Sequence, residues 1–192
     1  MRKVFDTMIA MLVISYPFAI YFSLHALEPR YVAMGIALVF ALRFITLKHS
    51  TAVPAGLLAL TRLIPTIITL TGAVTALTVI ISNKLIAMQF YPFIINLFLF
   101  SIFFYSLWRE PTIIEIVARL RTPELPIQAI QYTRKVTIVW CVFFMVNGML
   151  ALWTTLFTSI KIWTLYNGFI AYIVIGLIFS IEFIIRQRVE LN

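Results

Sequence analysis

Six long apolar stretches, parted by short polar ones, make up most of the chain. A bilayer-crossing helix needs about 20 mainly apolar residues, because the hydrocarbon layer is about 30 Å thick and each helical residue advances about 1.5 Å. Residues 4–24, 31–47, 54–81, 90–107, 136–160 and 163–185 come within a few residues of that length or exceed it. The pattern predicts an all-α polytopic membrane helix bundle, one integral membrane domain with about six transmembrane helices. Pro17 predicts a kink in the first span, since proline removes a backbone donor and crowds the preceding turn. Arg2 and Lys3 before that span resemble the start of a signal peptide. The run behind them is long for one and no small-residue cleavage site follows, so an uncleaved span is expected. Residues 54–81 are longer than one straight span and carry Pro65. They form either one helix kinked at Pro65 or a short interfacial helix followed by a span. Their second half is rich in Thr, Gly and Ala, which lets helices approach closely in lipid. Residues 159–162 are too short a link for anything but an antiparallel hairpin of the last two spans.

Residues 109–135 break this pattern as the longest polar stretch. Pro111 suits the first turn of a helix. Ile113, Ile116, Val117 and Leu120 then recur at helical spacing, and Glu115 precedes Arg119 by four residues, the favourable order for an ion pair. This predicts a short amphipathic helix. Seven to ten residues do not make a stable helix alone in water, so it is expected to lie on the membrane or dock on the bundle. Pro123 and Pro126 keep the following residues extended. A second helix is expected to begin near Pro126 and run through Gln128, Tyr132 and Thr133 into the fifth span. The stretch is either a connector that orients the chain by its charge or a docking platform. In the second reading Glu110, Arg119, Arg121, Arg134 and Lys135 are the candidate partner- or lipid-binding residues.

Composition removes the soluble alternative. The chain is 62% hydrophobic and 11% charged, with a mean hydropathy of +1.03. A soluble domain carries about 25% charged residues, so lipid has to cover part of this surface. The net charge of +8 would fit nucleic acid, but topology accounts for it. With the N terminus inside, only Arg30, Lys84 and Lys161 of the 15 Lys and Arg fall on the far side, the bias of the positive-inside rule. No phosphate-cradling glycine loop or basic–aromatic pattern is present, and nucleic acid is not an expected partner. Cys141 is the sole cysteine, which excludes an intramolecular disulfide and a cysteine metal cluster.

Polar residues inside apolar runs are the remaining candidates. Arg43 and Arg62 sit where long side chains can snorkel to headgroups. Asn96, Asn147 and Asn167 need partners in lipid, so they either tie helices together or line a substrate path. Gly168, Tyr172, Gly176 and Ser180 recur every four residues and read as a packing ridge. Glu182 either pairs with Arg186 one turn later or serves a headgroup or proton role. His25 and His49 are expected on opposite membrane faces and cannot share a metal. No metalloprotease, nucleophile-elbow or nucleotide-loop motif appears; no catalytic residue, cofactor or metal is expected.

The segments EPTIIEIVARL from Glu110, TPELP from Thr122, YTRKVTIVWCVFFMVNG from Tyr132, WTLYNGFIAY from Trp163 and the pair Glu182–Arg186 together resemble a family of bacterial inner-membrane proteins. Members are often encoded among aryl polyene and other fatty-acid-type biosynthetic genes. The second half is more distantly similar to intracellular septation protein A. The likeness covers residues 89–188; before that it is confined to hydropathy. It implies a multi-pass inner-membrane protein of envelope biogenesis with both termini cytoplasmic, and it carries no catalytic motif. By this analogy Glu110, Pro111, Glu124, Pro126, Tyr132, Arg134, Trp140, Asn147, Trp163, Asn167 and Glu182 are the positions to test. The expected function is a non-enzymatic scaffold or accessory protein for cell-envelope or aryl-polyene lipid synthesis. Its expected partners are membrane lipids and cytoplasmic biosynthetic enzymes or an acyl carrier protein. The alternatives are a small transporter or flippase of a lipid-linked product and, behind it, a membrane-embedded enzyme acting on lipid headgroups.

Overall fold

The computed structural model describes residues 28, 30–31, 33–35, 37–38, 64–84, 86–120 and 122–190. The first predicted span, most of the second, residues 54–63, and with them Arg43, Arg62, Arg121, His25 and His49, lie outside the described residues. Among those described, every regular element is helical: α1 (Ile64–Ser82), α2 (Ile86–Gln89), α3 (Tyr91–Ser106), α4 (Ile113–Arg119), α5 (Ile127–Phe157), α6 (Ile160–Leu165), a π-helical turn (Tyr166–Ile170) and α7 (Ala171–Glu190). Among the described residues, three stretches are long and apolar enough to cross a membrane: Ile86–Ser106, Ile127–Phe157 and Ile160–Arg186.

Local chemistry sets where these helices stop. Asn83 ends α1 in the left-handed conformation at φ 51°, and its N–H returns to the Val79 carbonyl at 2.7 Å. Asparagine tolerates that conformation better than other residues with a β-carbon. Pro92 stands in the first turn of α3. A proline cannot donate to the turn before it, and the helix is broken there into α2 and α3. Thr158 leaves α5 with an extended backbone, and Ser159 caps α6 by accepting from the Ile162 N–H. The hairpin therefore turns at residues 158–159, a little earlier than the hydropathy boundary suggests, because the cap chemistry and not the apolar run decides where α6 begins.

The helix α5 is the axle. At 31 residues it is about 46 Å long, well beyond the hydrocarbon thickness. It packs along α3 and receives α4 and the α6–α7 arm on its other sides. Phe103, Ile113, Val136, Trp140, Cys141, Phe143 and Phe144 form one buried cluster uniting α3, α4 and α5. Phe179 of α7 lies against Trp140 with ring centroids 4.8 Å apart. A second cluster, Ala33, Ala76, Val79, Met88 and Trp163, holds α1, α2 and α6 together near the opposite end. Outside these seams the bundle is greasy: Phe169, Ile173, Leu177, Ile181 and Ile184 of the last arm are all about half exposed or more. A surface of that kind is stable against lipid chains and not against water.

Candidate functional site

Among the described residues, two groups of polar side chains stand along α5, one towards each end.

The first is the loop between α3 and α5. Ser106, the last residue of α3, donates its hydroxyl to the Phe103 carbonyl at 2.7 Å and accepts from the Ile113 N–H at 3.3 Å. One side chain thus joins the end of α3 to the start of α4. Thr112 caps α4, accepting from the Glu115 N–H at 3.4 Å. Thr112-x-x-Glu115 is the spacing of a capping box. Pro111 stands before this cap and outside α4, which corrects its expected place in the first turn; the threonine supplies the acceptor that starts the helix.

The apolar stripe of α4 does not divide the helix into two faces. Thr112 and Ile113 are buried at its start, whereas Val117 and Leu120 are half exposed at its end. The first turn of the helix is buried and its end is not. This takes Glu115 inside as well, to 4% exposure. Arg119 meets it with two donors, Nη2 at 2.8 Å and Nε at 2.9 Å from the same carboxylate oxygen. The remaining arginine nitrogen, Nη1, reaches the Pro123 carbonyl at 3.0 Å. Arg134 closes the other side: Nη2 donates to the Leu107 carbonyl at 3.0 Å, and Nη1 stands 3.4 Å from Glu110. Leu107 is the C-cap of α3, so a cation satisfies an orphan carbonyl at a helix C-terminus. Two of the basic residues expected to face a partner, Arg119 and Arg134, are therefore engaged in fastening the loop. Arg109 and Glu124 are exposed on the loop, and Lys135 is exposed on α5 beside Arg134. Beneath the loop, Tyr132 donates its hydroxyl to the Glu182 carbonyl at 3.1 Å, and the Glu182 carboxylate stands 3.7 Å from Arg186.

The second place is a seam of neutral polar groups. Asn96 of α3 donates to the Pro92 carbonyl at 2.7 Å and accepts from Asn147 Nδ2 of α5 at 3.0 Å. The Asn147 amide oxygen accepts from the Tyr166 hydroxyl at 2.8 Å. Three helical segments are linked through one asparagine. Gly148 permits this approach, since a β-carbon there would stand 3.1 Å from that of Asn96. Asn167 belongs to a neighbouring link, donating to Thr154 Oγ1 at 3.2 Å and to the Trp163 carbonyl at 3.0 Å. At the break between α2 and α3, the Gln89 carbonyl accepts from Thr155 Oγ1 at 2.9 Å and from the Trp163 indole at 3.2 Å. Trp163 is wholly buried.

Asn96 and Asn147 are thus brought together, Asn167 stands beside them, and Glu182 lies near the far end of the bundle with Tyr132. Reading the chain alone missed Gln89, Ser106, Thr154 and Thr155 as junction residues and Glu115 as a buried acid. Thr154 lies seven residues after Asn147, two turns along the same helix face, which was the available signal. Nothing in the sequence marks the Gln89 carbonyl, because its role arises from the break in the helix. Among the described residues no three His, Cys, Asp or Glu side chains gather as a metal site. Comparison with family models, with curated proteins and with solved structures finds no match to the chain.

Proposed function

We propose that the chain is a multi-pass protein of a bacterial inner membrane, with six spans and both termini cytoplasmic, and that the loop between α3 and α5 is a docking platform for a cytoplasmic partner. In this reading it is a non-enzymatic scaffold of envelope or aryl-polyene lipid synthesis, and the partner is a soluble biosynthetic enzyme or an acyl carrier protein with an acidic surface. The supporting observation is that the loop is fastened in one form by Ser106, Arg119 and Arg134. A connector needs only length. A loop whose carbonyls are held by two arginines keeps a fixed form, with Arg109 exposed on it and Lys135 exposed on α5 next to Arg134. The resemblance of the segments from Glu110 to Arg186 to inner-membrane proteins of aryl-polyene gene clusters, and more distantly of the second half to septation protein A, points to the same compartment.

The test is titration of a purified acyl carrier protein onto the chain in lipid nanodiscs. Lys135→Glu together with Arg109→Glu is expected to weaken binding at least tenfold, while Glu182→Gln leaves it unchanged. Equal binding by the reversed and parent chains would sink the proposal. A second reading, passage of a lipid-linked product, draws support from the Asn96–Asn147–Tyr166 link across three helical segments. It requires the reverse pattern, with transport lost in Asn147→Leu and Glu182→Gln and kept when the platform charges are reversed.

A further inference from the structure

The last membrane-length arm is not one regular helix. Between α6 and α7, Tyr166–Ile170 is wound as a π-helix, closed by a bond from the Ala171 N–H to the Tyr166 carbonyl five residues back. Such a turn holds one residue more than an α-turn. Both polar side chains of this segment are fixed to α5, Tyr166 on Asn147 and Asn167 on Thr154. Just before it, the Thr164 hydroxyl is buried without a hydrogen-bond partner. Other threonines here satisfy themselves on the preceding turn, as Thr137 does on the Thr133 carbonyl and Thr158 on that of Thr154. A buried unsatisfied hydroxyl is unfavourable, and it stands at the end of α6; the wide turn itself is tied to α5 by the Tyr166 and Asn167 bonds.

We propose that Tyr166–Ile170 is a register latch. The extra residue stays in the π form while Tyr166 and Asn167 hold α5, and it is taken into a regular α-helix when they let go. Absorbing one residue turns α7 by about 100° about its axis and moves it along by about 1.5 Å. The far end of α7 carries Glu182 and Arg186 beside Tyr132, so the latch links the neutral seam to the floor of the loop between α3 and α5. This inference is independent of the scaffold reading and stands or falls without it.

Spin labels at Val139→Cys on α5 and Ile181→Cys on α7 would read the register, in a Cys141→Ala background and in nanodiscs. Both positions are about half exposed and clear of the seam. The parent chain is expected to give one distance. Tyr166→Phe, which keeps the ring and removes the bond, is expected to shift that distance by several ångströms, roughly the reach of a side chain from the helix axis. Deletion of Phe169, a half-exposed residue of the π-turn, is expected to restore the parent distance in the Tyr166→Phe chain, because the shortened segment is α-helical with α7 in its original place. An unchanged distance in Tyr166→Phe overturns the proposal. So does a deletion of Phe169 that will not fold where Phe169→Ala does.

Discussion

At one end of α5 the fastening groups are charged, and at the other they are neutral. The loop between α3 and α5 is closed by Arg119 and Arg134, each holding a carboxylate and a backbone carbonyl at once. The seam uses asparagine, threonine, tyrosine and tryptophan, each making one to three bonds of 2.7–3.2 Å. The same need, satisfying backbone and side-chain polar groups where helices break or cross, is met by different chemistry because the surroundings differ. Arg119 and Arg134 keep 37% and 47% of their side chains exposed, so water still shares their charge. Trp163, Asn96 and Asn147 are buried in an apolar bundle, where a lone charge would be far more unfavourable than an amide. The two ends should therefore respond to different perturbations.

The largest effect is expected at Trp163. Truncation to alanine empties a wholly buried site and leaves the Gln89 carbonyl with Thr155 as its side-chain donor. The expected loss is about 3–5 kcal/mol, the range for large aromatic side chains in packed cores. Reversible unfolding in mixed micelles would measure it. A loss below about 1 kcal/mol would mean that the seam does not hold α2, α5 and α6 together.

Next in size is Arg119→Ala. It leaves Glu115 buried with its ion-pair partner gone and frees the Pro123 carbonyl, and the expected cost is about 1–3 kcal/mol. The accompanying sign is local: protease cleavage within residues 120–126 should speed up while the membrane-length helices stay protected. Replacing Glu115 by glutamine in the same chain should recover part of the loss, since the uncompensated charge is then removed. If cleavage is as slow as in the parent, the loop owes its form to something other than these clasps.

Asn147→Leu probes the neutral end more gently. It removes the bonds to Asn96 and Tyr166, and bonds of this type between membrane helices contribute about 0.6–2 kcal/mol. A double-mutant cycle with Asn96→Leu should show coupling of the same sign and near that size, because one bond is lost in either single variant. Additive effects would show that the two asparagines hold their helices separately.

How much of this contrast was readable in the chain follows the same division. The apolar stretches and the three asparagines are visible because hydropathy is a local property and an amide in an apolar run is conspicuous. Glu115 and Arg119 were also visible as a pair four residues apart, but not the burial of Glu115. The stripe Ile113–Ile116–Val117–Leu120 suggested a helix lying on the membrane or docked on the bundle, and left open which; α4 docks by its first turn, with Ile113 in the buried cluster and Val117 and Leu120 half exposed. That docking is made by Ser106 and by the cluster around Phe103 and Trp140, contacts distant in sequence. The π-turn at Tyr166–Ile170 leaves no mark in composition, because Tyr-Asn-Gly-Phe-Ile reads equally well as α-helix. Gln89 was invisible for the reason already given: its carbonyl matters only once Pro92 breaks the helix.

The smallest structural effect is expected at Lys135, and it separates fastening from docking most cleanly. Lys135 is exposed on α5 one residue beyond Arg134. Lys135→Glu should change stability by no more than about 0.5 kcal/mol, as surface substitutions commonly do. If the platform meets an acidic surface, the same change should reduce the association rate more than it alters dissociation, because an exposed rim charge acts mainly by steering. Raising the salt to roughly 0.5 M should erase the difference between parent and variant, since screening then acts within a few ångströms. The Arg119 clasp, with Glu115 inside the bundle, should keep most of its contribution at that salt. A variant that binds as the parent does at low salt would leave the loop as a fastened connector, its charge serving orientation alone.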